Sequence, residues 1–460
     1  MRITRRSVLQ ALTAQAFGAG TAFGQTKLLG KPKPLPKDAV THDWATFLGP
    51  SHNGVSTETR LSRTLPPPLV WEFGKGTGYA SPAIAGDHLV FLHRRANDEV
   101  VECLHPETGS SRWQFRYATS FEDRYGYNNG PRSSPVIDEG RVYTTGAEGK
   151  LHCLDLASGK VLWKHDLAFE YRVRQDFFGT GSTPLVSGRL LIVNVGAPGG
   201  PSVVGFDKTT GREVWAAGRE WGASYASPVP AMIHGKPRVL VFAGGESDPP
   251  RGGLMSIDPS NGRVDFSFPW RSRTMESVNA SCPVVFNNKV FVSASYRTGG
   301  ALIEVQPDFT HTVLWTTQEF GLHFNTAIYR NGYLYGFDGR NEPDASLACV
   351  DVATGKVVWR EIPEWTETIG SGGRQQVLGT YRGSLLAADG QFLCLGELGH
   401  LLWMDLTPKG YKELSRAWLF AARESWGLPV LSRGLLYVAQ NTRDTLHNTG
   451  PRLLCYDLRA

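Results

Sequence analysis

Short apolar and alternating runs, separated by turn residues, fill the chain from residue 66 to its end. Typical runs are 89–92 (Leu-Val-Phe-Leu) and 141–144 (Arg-Val-Tyr-Thr), and a typical turn is Asp138-Glu139-Gly140. Apolar residues do not recur at helical spacing over any long stretch. Because runs of this length and period are typical of β-strands, the pattern predicts an all-β protein.

One motif recurs within this pattern, Asp-x-x-(Ser/Thr/Asn)-Gly-(Lys/Arg)-x-x-Trp. Full copies end at Trp163, Trp215 and Trp359, and close variants end at Trp113 and Phe266. The aromatic positions 113, 163, 215 and 266 lie 50, 52 and 51 residues apart. A repeat of roughly 40–50 residues that contains four short strands is typical of a propeller blade.

Eight aromatic residues fall in the last strand of the repeats, where we expect them to pack between neighbouring blades: Trp71, Trp113, Trp163, Trp215, Phe266, Trp315, Trp359 and Trp418. Trp71 has no first three strands before it, and 453–457 (Leu-Leu-Cys-Tyr-Asp) is a third strand with no fourth. We therefore expect the N-terminal strand to complete the C-terminal blade. This predicts one eight-bladed β-propeller of four-stranded antiparallel blades over residues 66–460.

These repeats resemble those of the pyrroloquinoline-quinone-like (PQQ-like, quinoprotein alcohol dehydrogenase-like) propeller family, whose signature is Asp-x-x-Thr-Gly-Lys-x-x-Trp. The segment that begins Trp44-Ala-Thr-Phe-Leu-Gly-Pro50 is similar to the Trp-x-x-Phe-Arg-Gly-Pro start of secreted bacterial members, with Leu48 where arginine is usual. The resemblance implies the fold and leaves the function open. The family includes quinoprotein dehydrogenases, BamB-like outer-membrane assembly lipoproteins and propellers without known activity.

The N-terminus predicts export. Arg5-Arg6 precedes a modestly apolar stretch without acidic residues, so residues 1–24 read as a twin-arginine signal peptide, and residues 25–65 as a linker and lead segment. We expect a periplasmic or secreted bacterial protein with no membrane span. Loss of Arg2, Arg5 and Arg6 lowers the formal net charge from +5 to +2, which gives no electrostatic case for nucleic acid.

The six cysteines do not form an obvious disulfide set. Cys103, Cys153, Cys349 and Cys455 occupy the same third-strand position in different blades. Equivalent positions of different blades are too far apart for a disulfide, which needs Cα atoms within about 7 Å. We expect free, buried thiols, and the sequence does not say whether Cys282 and Cys394 pair.

The loops between blades supply the candidate ligand-binding residues. Together with Asn128 and Asn325, arginines from five blade junctions are predicted to ring one mouth of the channel: Arg132, Arg174, Arg273, Arg374 and Arg423. Arginine suits a carboxylate, sulfate or phosphate because its guanidinium binds such groups with two parallel hydrogen bonds. The alternative is that these arginines pair with loop carboxylates: Asp123, Asp176, Glu276 and Glu424.

A quinone-dependent enzyme would need more specific chemistry. It requires a Ca²⁺ site of Glu, Asn and Asp oxygens, an Asp base and a channel-facing aromatic such as Trp221, Trp365 or Trp426. Candidate oxygens are those of Asp123, Asn128, Asp176, Glu276, Asn279 and Asn325. The sequence contains neither a Cys-Cys pair nor a Cys-x-x-Cys-His haem motif.

We therefore expect a monomeric, non-catalytic binding or assembly platform in the cell envelope, with no cofactor and no metal. Its partner would be an envelope protein, or an anionic small molecule or glycan held at the channel mouth. The alternative is a soluble dehydrogenase that uses PQQ and Ca²⁺ to oxidise an alcohol or sugar. A hydrolase or lyase of acidic polysaccharides is a third option.

Overall fold

The structure, a computed structural model, describes residues 24–175, 177–340, 344–370 and 372–460. Eight blades of four antiparallel strands surround a central channel, which confirms the predicted eight-bladed propeller. Among these described residues, no helix is long and apolar enough to cross a membrane. Apart from Gly24, the predicted signal peptide lies outside the described residues.

The strands follow one another blade by blade. Two N-terminal strands, β1 (Thr26–Leu28) and β2 (Leu69–Gly74), precede the first complete blade. Blades 1 to 4 consist of β3 (Ala83–Ala85), β4 (His88–Arg95), β5 (Asp98–Leu104) and β6 (Ser111–Ala118); β7 (Val136–Asp138), β8 (Arg141–Thr145), β9 (Lys150–Asp155) and β10 (Val161–Asp166); β11 (Leu185–Ser187), β12 (Leu190–Asn194), β13 (Val203–Asp207) and β14 (Glu213–Ala217); β15 (Val229–Ile233), β16 (Lys236–Ala243), β17 (Gly253–Ile257) and β18 (Val264–Pro269).

The second half of the ring carries one insertion, the hairpin β27 (Glu364–Ile369) and β28 (Arg374–Gly379) between blades 6 and 7. A single-turn helix, α1 (Leu167–Glu170), follows blade 2. The remaining strands are β19 (Val284–Phe286), β20 (Lys289–Ala294), β21 (Gly299–Val305) and β22 (His311–Thr317); β23 (Ile328–Arg330), β24 (Tyr333–Asp338), β25 (Ser346–Asp351) and β26 (Val357–Glu361); β29 (Ser384–Ala388), β30 (Gln391–Leu395), β31 (His400–Thr407) and β32 (Gly410–Trp418); and β33 (Val430–Ser432), β34 (Leu435–Gln440) and β35 (Arg452–Asp457).

The two ends of the chain close the ring together. Strand β2 pairs antiparallel with β35, so the N-terminal strand completes blade 8 as predicted. Strand β1 adds a fifth strand at the outer edge of that blade. Both chain segments are thereby tied into one sheet, which leaves no missing strand in the ring.

The fourth-strand tryptophan of each regular blade lies opposite one position of the third strand. That position carries a cysteine opposite Trp71, Trp113, Trp163 and Trp359, glycine opposite Trp215, serine opposite Phe266 and leucine opposite Trp315. A small partner leaves room for the indole beside it. All six cysteines are buried and free, which confirms the thiols predicted at the repeat position and answers the question that the sequence left open for Cys282 and Cys394.

Each of these tryptophans is held by the next blade. Trp113 of blade 1 donates its indole N–H to the Leu156 carbonyl in the β9–β10 turn of blade 2, at 2.7 Å. In the same turn, a Cβ on Gly159 would lie 2.5 Å from the Trp113 ring. Equivalent contacts join Trp71 to Gly109, Trp163 to Gly211, Trp215 to Gly262 and Trp315 to Gly355.

The junction between blades 4 and 5 replaces both partners of this contact. Phe266 stands where the tryptophan is usual, and the turn of blade 5 contains no glycine. The His311 ring lies 4.6 Å from the Phe266 ring and occupies the space between the blades. A smaller aromatic ring and the histidine that begins β22 therefore fill this junction together.

Blade 7 corrects one sequence prediction, which placed Trp418 among the blade tryptophans. The register places Ser415 at that position, opposite Trp403, whereas Trp418 pairs with His400. Because blade 8 takes its fourth strand from the N-terminus, it has no third-to-fourth-strand turn that could receive a tryptophan. Arg63 of the lead segment lies 4.2 Å from the Trp403 ring instead, and its carbonyl accepts the Ser415 hydroxyl at 2.6 Å.

The tryptophan contact predicts unequal costs for alanine at two glycines of blade 2. Gly140 (φ 74°) and Gly159 (φ 70°) are both left-handed, but only a Cβ at Gly159 meets a ring. We expect Gly140→Ala to lower the free energy of unfolding by about 1–2 kcal/mol, and Gly159→Ala by about 2–4 kcal/mol because overpacking is added. Urea denaturation of both variants measures the difference. Equal losses of unfolding free energy would contradict a stabilising contact between Trp113 and Gly159.

Candidate ligand-binding cup

The first strands of the blades surround the channel, and the segments that lead into them form its wall. In five consecutive junctions, a backbone N–H at the start of one blade donates to a side chain at the start of the next. The bonds run from Ser81 to Ser134 (3.1 Å), Ser134 to Thr183 (3.0 Å), Thr183 to Ser227 (3.0 Å), Ser227 to Cys282 (3.2 Å) and Cys282 to Thr326 (3.0 Å). We call these six residues the girdle. Their bonds explain the recurrent Ser/Thr-Pro at the start of the blades.

The lead segment closes one end of this channel. The Trp44 backbone bridges Ile84 of blade 1, and further along, the Ser56 N–H donates to the Ala387 carbonyl of blade 7 at 2.7 Å. Between these anchors, Phe47 and Leu48 reach the channel and form its floor. The channel is therefore a cup, open on the side where the blade junctions lie.

One repeat position supplies much of the cup wall. The residue two positions before each girdle residue, or before its equivalent in blades 7 and 8, lines the cavity. In blade order these wall residues are Tyr79, Arg132, Gly181, Tyr225, Ala280, Phe324, Arg382 and Trp426. The cavity of about 220 Å³ is slightly smaller than typical small-molecule sites.

Four wall residues from adjacent blades form a continuous stack. The Arg382 guanidinium lies 4.9 Å from the Trp426 ring, Trp426 lies 5.3 Å from Tyr79, and the Arg132 guanidinium lies 5.3 Å from Tyr79. Tyr127, from the loop before blade 2, adds an edge-on ring 5.6 Å from Trp426. Flat π and guanidinium surfaces therefore dominate this side of the cup.

Both arginines of the stack are neutralised from behind. Arg132 donates to Asp123 at 2.5 Å, and the Asp123 side chain is fully buried. Arg382 forms a two-pronged ion pair with Glu397, whose other partner is the Trp426 indole N–H at 2.9 Å. These carboxylates do not line the cavity. The arginines therefore contribute flat surface and N–H groups to the cup more than net charge.

The other predicted site residues are dispersed. Arg174, Arg273, Arg374 and Arg423 are exposed, and none of them lines the cup; Arg374 belongs to the β27–β28 hairpin. Asn325 lines the cup and donates to the Gly383 carbonyl at 2.6 Å, whereas Asn128 stays in its own loop and accepts from Gly130. The structure thus brings Arg132 and Asn325 together and leaves the rest apart.

His323 and Glu424 are among the groups near the cup whose pKa is shifted. Burial, with help from the nearby Arg382 and Arg340, lowers the pKa of His323 to about 3, so this imidazole is neutral at pH 7. Burial raises the pKa of Glu424, whose carboxylate accepts the Tyr79 hydroxyl. His323 lines the cup, and its Nδ1 is a buried atom without a hydrogen-bond partner.

The residues present do not fit a quinone with its Ca²⁺ ion. Among the described residues, no three His, Cys, Asp or Glu side chains come together as a metal-binding group. Asp123 is committed to Arg132, Asn279 donates to two backbone carbonyls, Glu276 is exposed, and Asp176 lies outside the described residues. Of the candidate stacking residues, Trp426 lines the cup, whereas Trp221 is buried between blades and Trp365 lies in the hairpin. We therefore derive no reaction step through such a cofactor.

Sequence reasoning named Trp426 as a channel-facing aromatic but missed Tyr79 and Phe324, because it selected the binding residues of the loops by charge. The usable signal was position, since wall residues stand two places before the Ser/Thr-Pro or its equivalent in each repeat. By this rule Tyr79, Phe324 and Trp426 could have been selected along with Arg132. The floor carried no comparable signal, because Phe47 and Leu48 belong to no repeat.

The fold and the cup define an eight-bladed PQQ-like propeller. A family model described as outer membrane protein assembly factor BamB matches residues 97–361, which is more than half of the chain. The chain therefore belongs to this family of PQQ-like propeller repeats.

Among sequence relatives, the chain is 24% identical over 270 residues to the dehydrogenase subunit of the quinone alcohol dehydrogenase of Gluconobacter oxydans. That match covers 52% of this chain and 34% of the relative, so the chain spans about a third of the relative's length.

Solved structures share the fold at low identity. BamB from Moraxella catarrhalis superposes with a TM-score of 0.52 at 16% identity, over 85% of this chain and 97% of that one. A europium-containing methanol dehydrogenase superposes with a TM-score of 0.63 at 12% identity, over 90% of this chain and 98% of that one. At these identities the likeness concerns the fold alone.

A buried lysine beside the cup wall predicts a pH dependence. Lys75 is 2% exposed, donates to the Gly78 carbonyl just before Tyr79, and has its pKa lowered from 10.5 to about 7 by burial. Above pH 7 the folded chain has released a proton that the unfolded chain still binds. Stability should therefore rise with pH from about 7 towards 10.5, by at most about 1.4 kcal/mol per unit.

Lys75→Met should remove this contribution and flatten the pH profile of the melting temperature above pH 7. The exposed Lys160→Met serves as the matched control and should keep the wild-type slope. The same slope in Lys75→Met and wild type would show that the buried ammonium is not its source.

Proposed function

We propose that this propeller is a non-catalytic binding protein of the cell envelope and that the cup is its ligand site. The observation that carries the proposal is the composition of the cup. One position per repeat builds a wall of rings and guanidinium planes, and both wall arginines are neutralised by carboxylates behind them.

The cup offers surface for binding, but none of the described residues that line it is equipped for acid–base chemistry. A His323 with a pKa near 3 is a poor base at neutral pH. Glu424 is not on the cavity wall and is engaged by the Tyr79 hydroxyl. Arg132 and Asn325 remain proposed ligand contacts, because they line the cup. A strongly anionic ligand is not favoured, because the charge of Arg132 is already paired with Asp123.

Membership of a family described as outer membrane protein assembly factor BamB supports an envelope role. The twin-arginine pattern at Arg5-Arg6 supports export to that compartment. An envelope protein partner is therefore proposed beside the cup ligand.

The competing dehydrogenase function can be tested directly. We expect no heat on titration of PQQ with Ca²⁺ into the purified mature protein. We also expect no reduction of a dye acceptor with alcohols or sugars, because the carboxylates near the cup are already engaged. An established quinoprotein dehydrogenase reconstituted in parallel serves as the positive control. Tight binding that a chelator abolishes, together with turnover, would replace the binding protein by an enzyme.

Export can be tested with the signal peptide. Arg5→Lys combined with Arg6→Lys keeps the charge but removes the arginine pair, and we expect precursor to accumulate in the cytoplasm of a bacterial host. Fractionation and immunoblotting measure this, and Arg2→Lys is the matched control. Unchanged export of the double variant would exclude the twin-arginine route.

A further inference from the structure

The cup combines a flat wall with hydrogen-bonding groups that lack partners. On one side lies the stack of Arg382, Trp426, Tyr79 and Arg132. Deeper in the cup, the girdle hydroxyls of Ser134 and Thr183 each accept a backbone N–H. Among the described residues, neither of these two hydroxyls donates a hydrogen bond, so each keeps its hydrogen for a ligand.

His323 adds a group that can either accept or donate. It is neutral at pH 7 because its pKa is lowered to about 3, and its buried Nδ1 has no partner. A neutral imidazole carries one donor and one acceptor nitrogen. The cup therefore offers donors and an acceptor at several points around its wall, without a net charge to select an ion.

The size and the floor limit what can bind. The cavity of about 220 Å³ is closed below by Phe47 and Leu48, so a ligand enters only from the mouth. On blades 3 and 5 the wall residues are small, Gly181 and Ala280, and leave free space opposite the large side chains of blades 7, 8, 1 and 2. The free volume suits one or two six-membered rings.

From these observations we infer that the cup binds an uncharged saccharide ring, without reacting with it. This inference rests on the proposed function. A pyranose has an apolar C–H face that packs on aromatic rings and a rim of hydroxyls that both donate and accept. The rim would pair with Ser134, Thr183 and His323, while the apolar face lies on the stack. A flat aromatic ligand would fill the same space but leave those buried polar groups unpaired, which is costly.

Two tyrosines of one loop give a matched pair of variants. Tyr127 lines the cup and is 44% exposed, and its ring touches the stack through Trp426. Tyr125 is 50% exposed and does not line the cup; its ring packs on Phe177, which lies outside the cup, and on Phe178, which lines the cup. Both are largely solvent-accessible, so removal of either ring should leave the propeller folded, which thermal melting checks.

The experiment measures binding of a panel of neutral mono- and disaccharides by saturation-transfer-difference NMR and calorimetry, with the uncharged dye Nile red as an aromatic probe. We expect at least one saccharide to bind. Tyr127→Ala should weaken it about three- to tenfold, as loss of one aromatic contact does, and Tyr125→Ala should leave it unchanged.

Each other outcome is decisive. Saccharide binding that Tyr127→Ala leaves intact would place the sugar elsewhere and overturn the inference. Binding of Nile red in a Tyr127-dependent manner, without any saccharide, would overturn the saccharide and keep the cup as a binding site. Binding of neither would overturn the cup as a ligand site, and with it that part of the proposed function.

Discussion

The contact between a tryptophan ring and a turn glycine of the next blade organises this molecule. Five blade junctions use it, from Trp71 on Gly109 to Trp315 on Gly355. The glycine serves twice, since it adopts a left-handed backbone that closes the turn and leaves a flat surface for the indole. The indole N–H then fixes the spacing by binding a carbonyl of that turn. A ring of eight blades follows from repeating one such junction.

Three of the eight junctions depart from this contact. Between blades 6 and 7 the Trp359 indole N–H binds the Thr407 carbonyl at 2.7 Å, but among the described residues no turn glycine packs on the ring. Between blades 4 and 5, Phe266 is smaller than the usual tryptophan and His311 is larger than the usual glycine, so the space between the blades stays filled. At the closure of the ring, blade 8 is assembled from two distant pieces of chain and offers no turn to blade 7. The large aromatic residue therefore lies on the third strand of blade 7, as Trp403, and the small residue Ser415 lies opposite it on the fourth strand. Arg63 covers the Trp403 ring. The lead segment therefore performs in blade 8 what a turn performs elsewhere.

The same rigidity makes the cup. Because the girdle fixes the start of blades 1 to 6, the residue two positions earlier is held at the channel there, and the equivalent residues of blades 7 and 8 line the channel too. Function can then vary at that position without cost to the ring, which is how loops on a rigid scaffold acquire binding roles. In this chain the position carries rings and neutralised arginines, and the lead segment turns the open channel into a closed cup.

The sequence by itself determined the fold, the ring closure and the free thiols at the repeat position, because these depend on a repeated local pattern and on distances that the repeat imposes. The wall position can also be read from the sequence, since each wall residue stands two places before a girdle residue or before its equivalent in blades 7 and 8. Only the tertiary structure decided that Arg132 is neutralised by Asp123 while Arg174, Arg273, Arg374 and Arg423 lie apart. Only it revealed that Phe47 and Leu48 close the channel. Loop arginines of similar sequence context differ in whether they line the cup. The direction of each side chain and its carboxylate partner depend on residues brought close by the fold, which no local sequence pattern encodes.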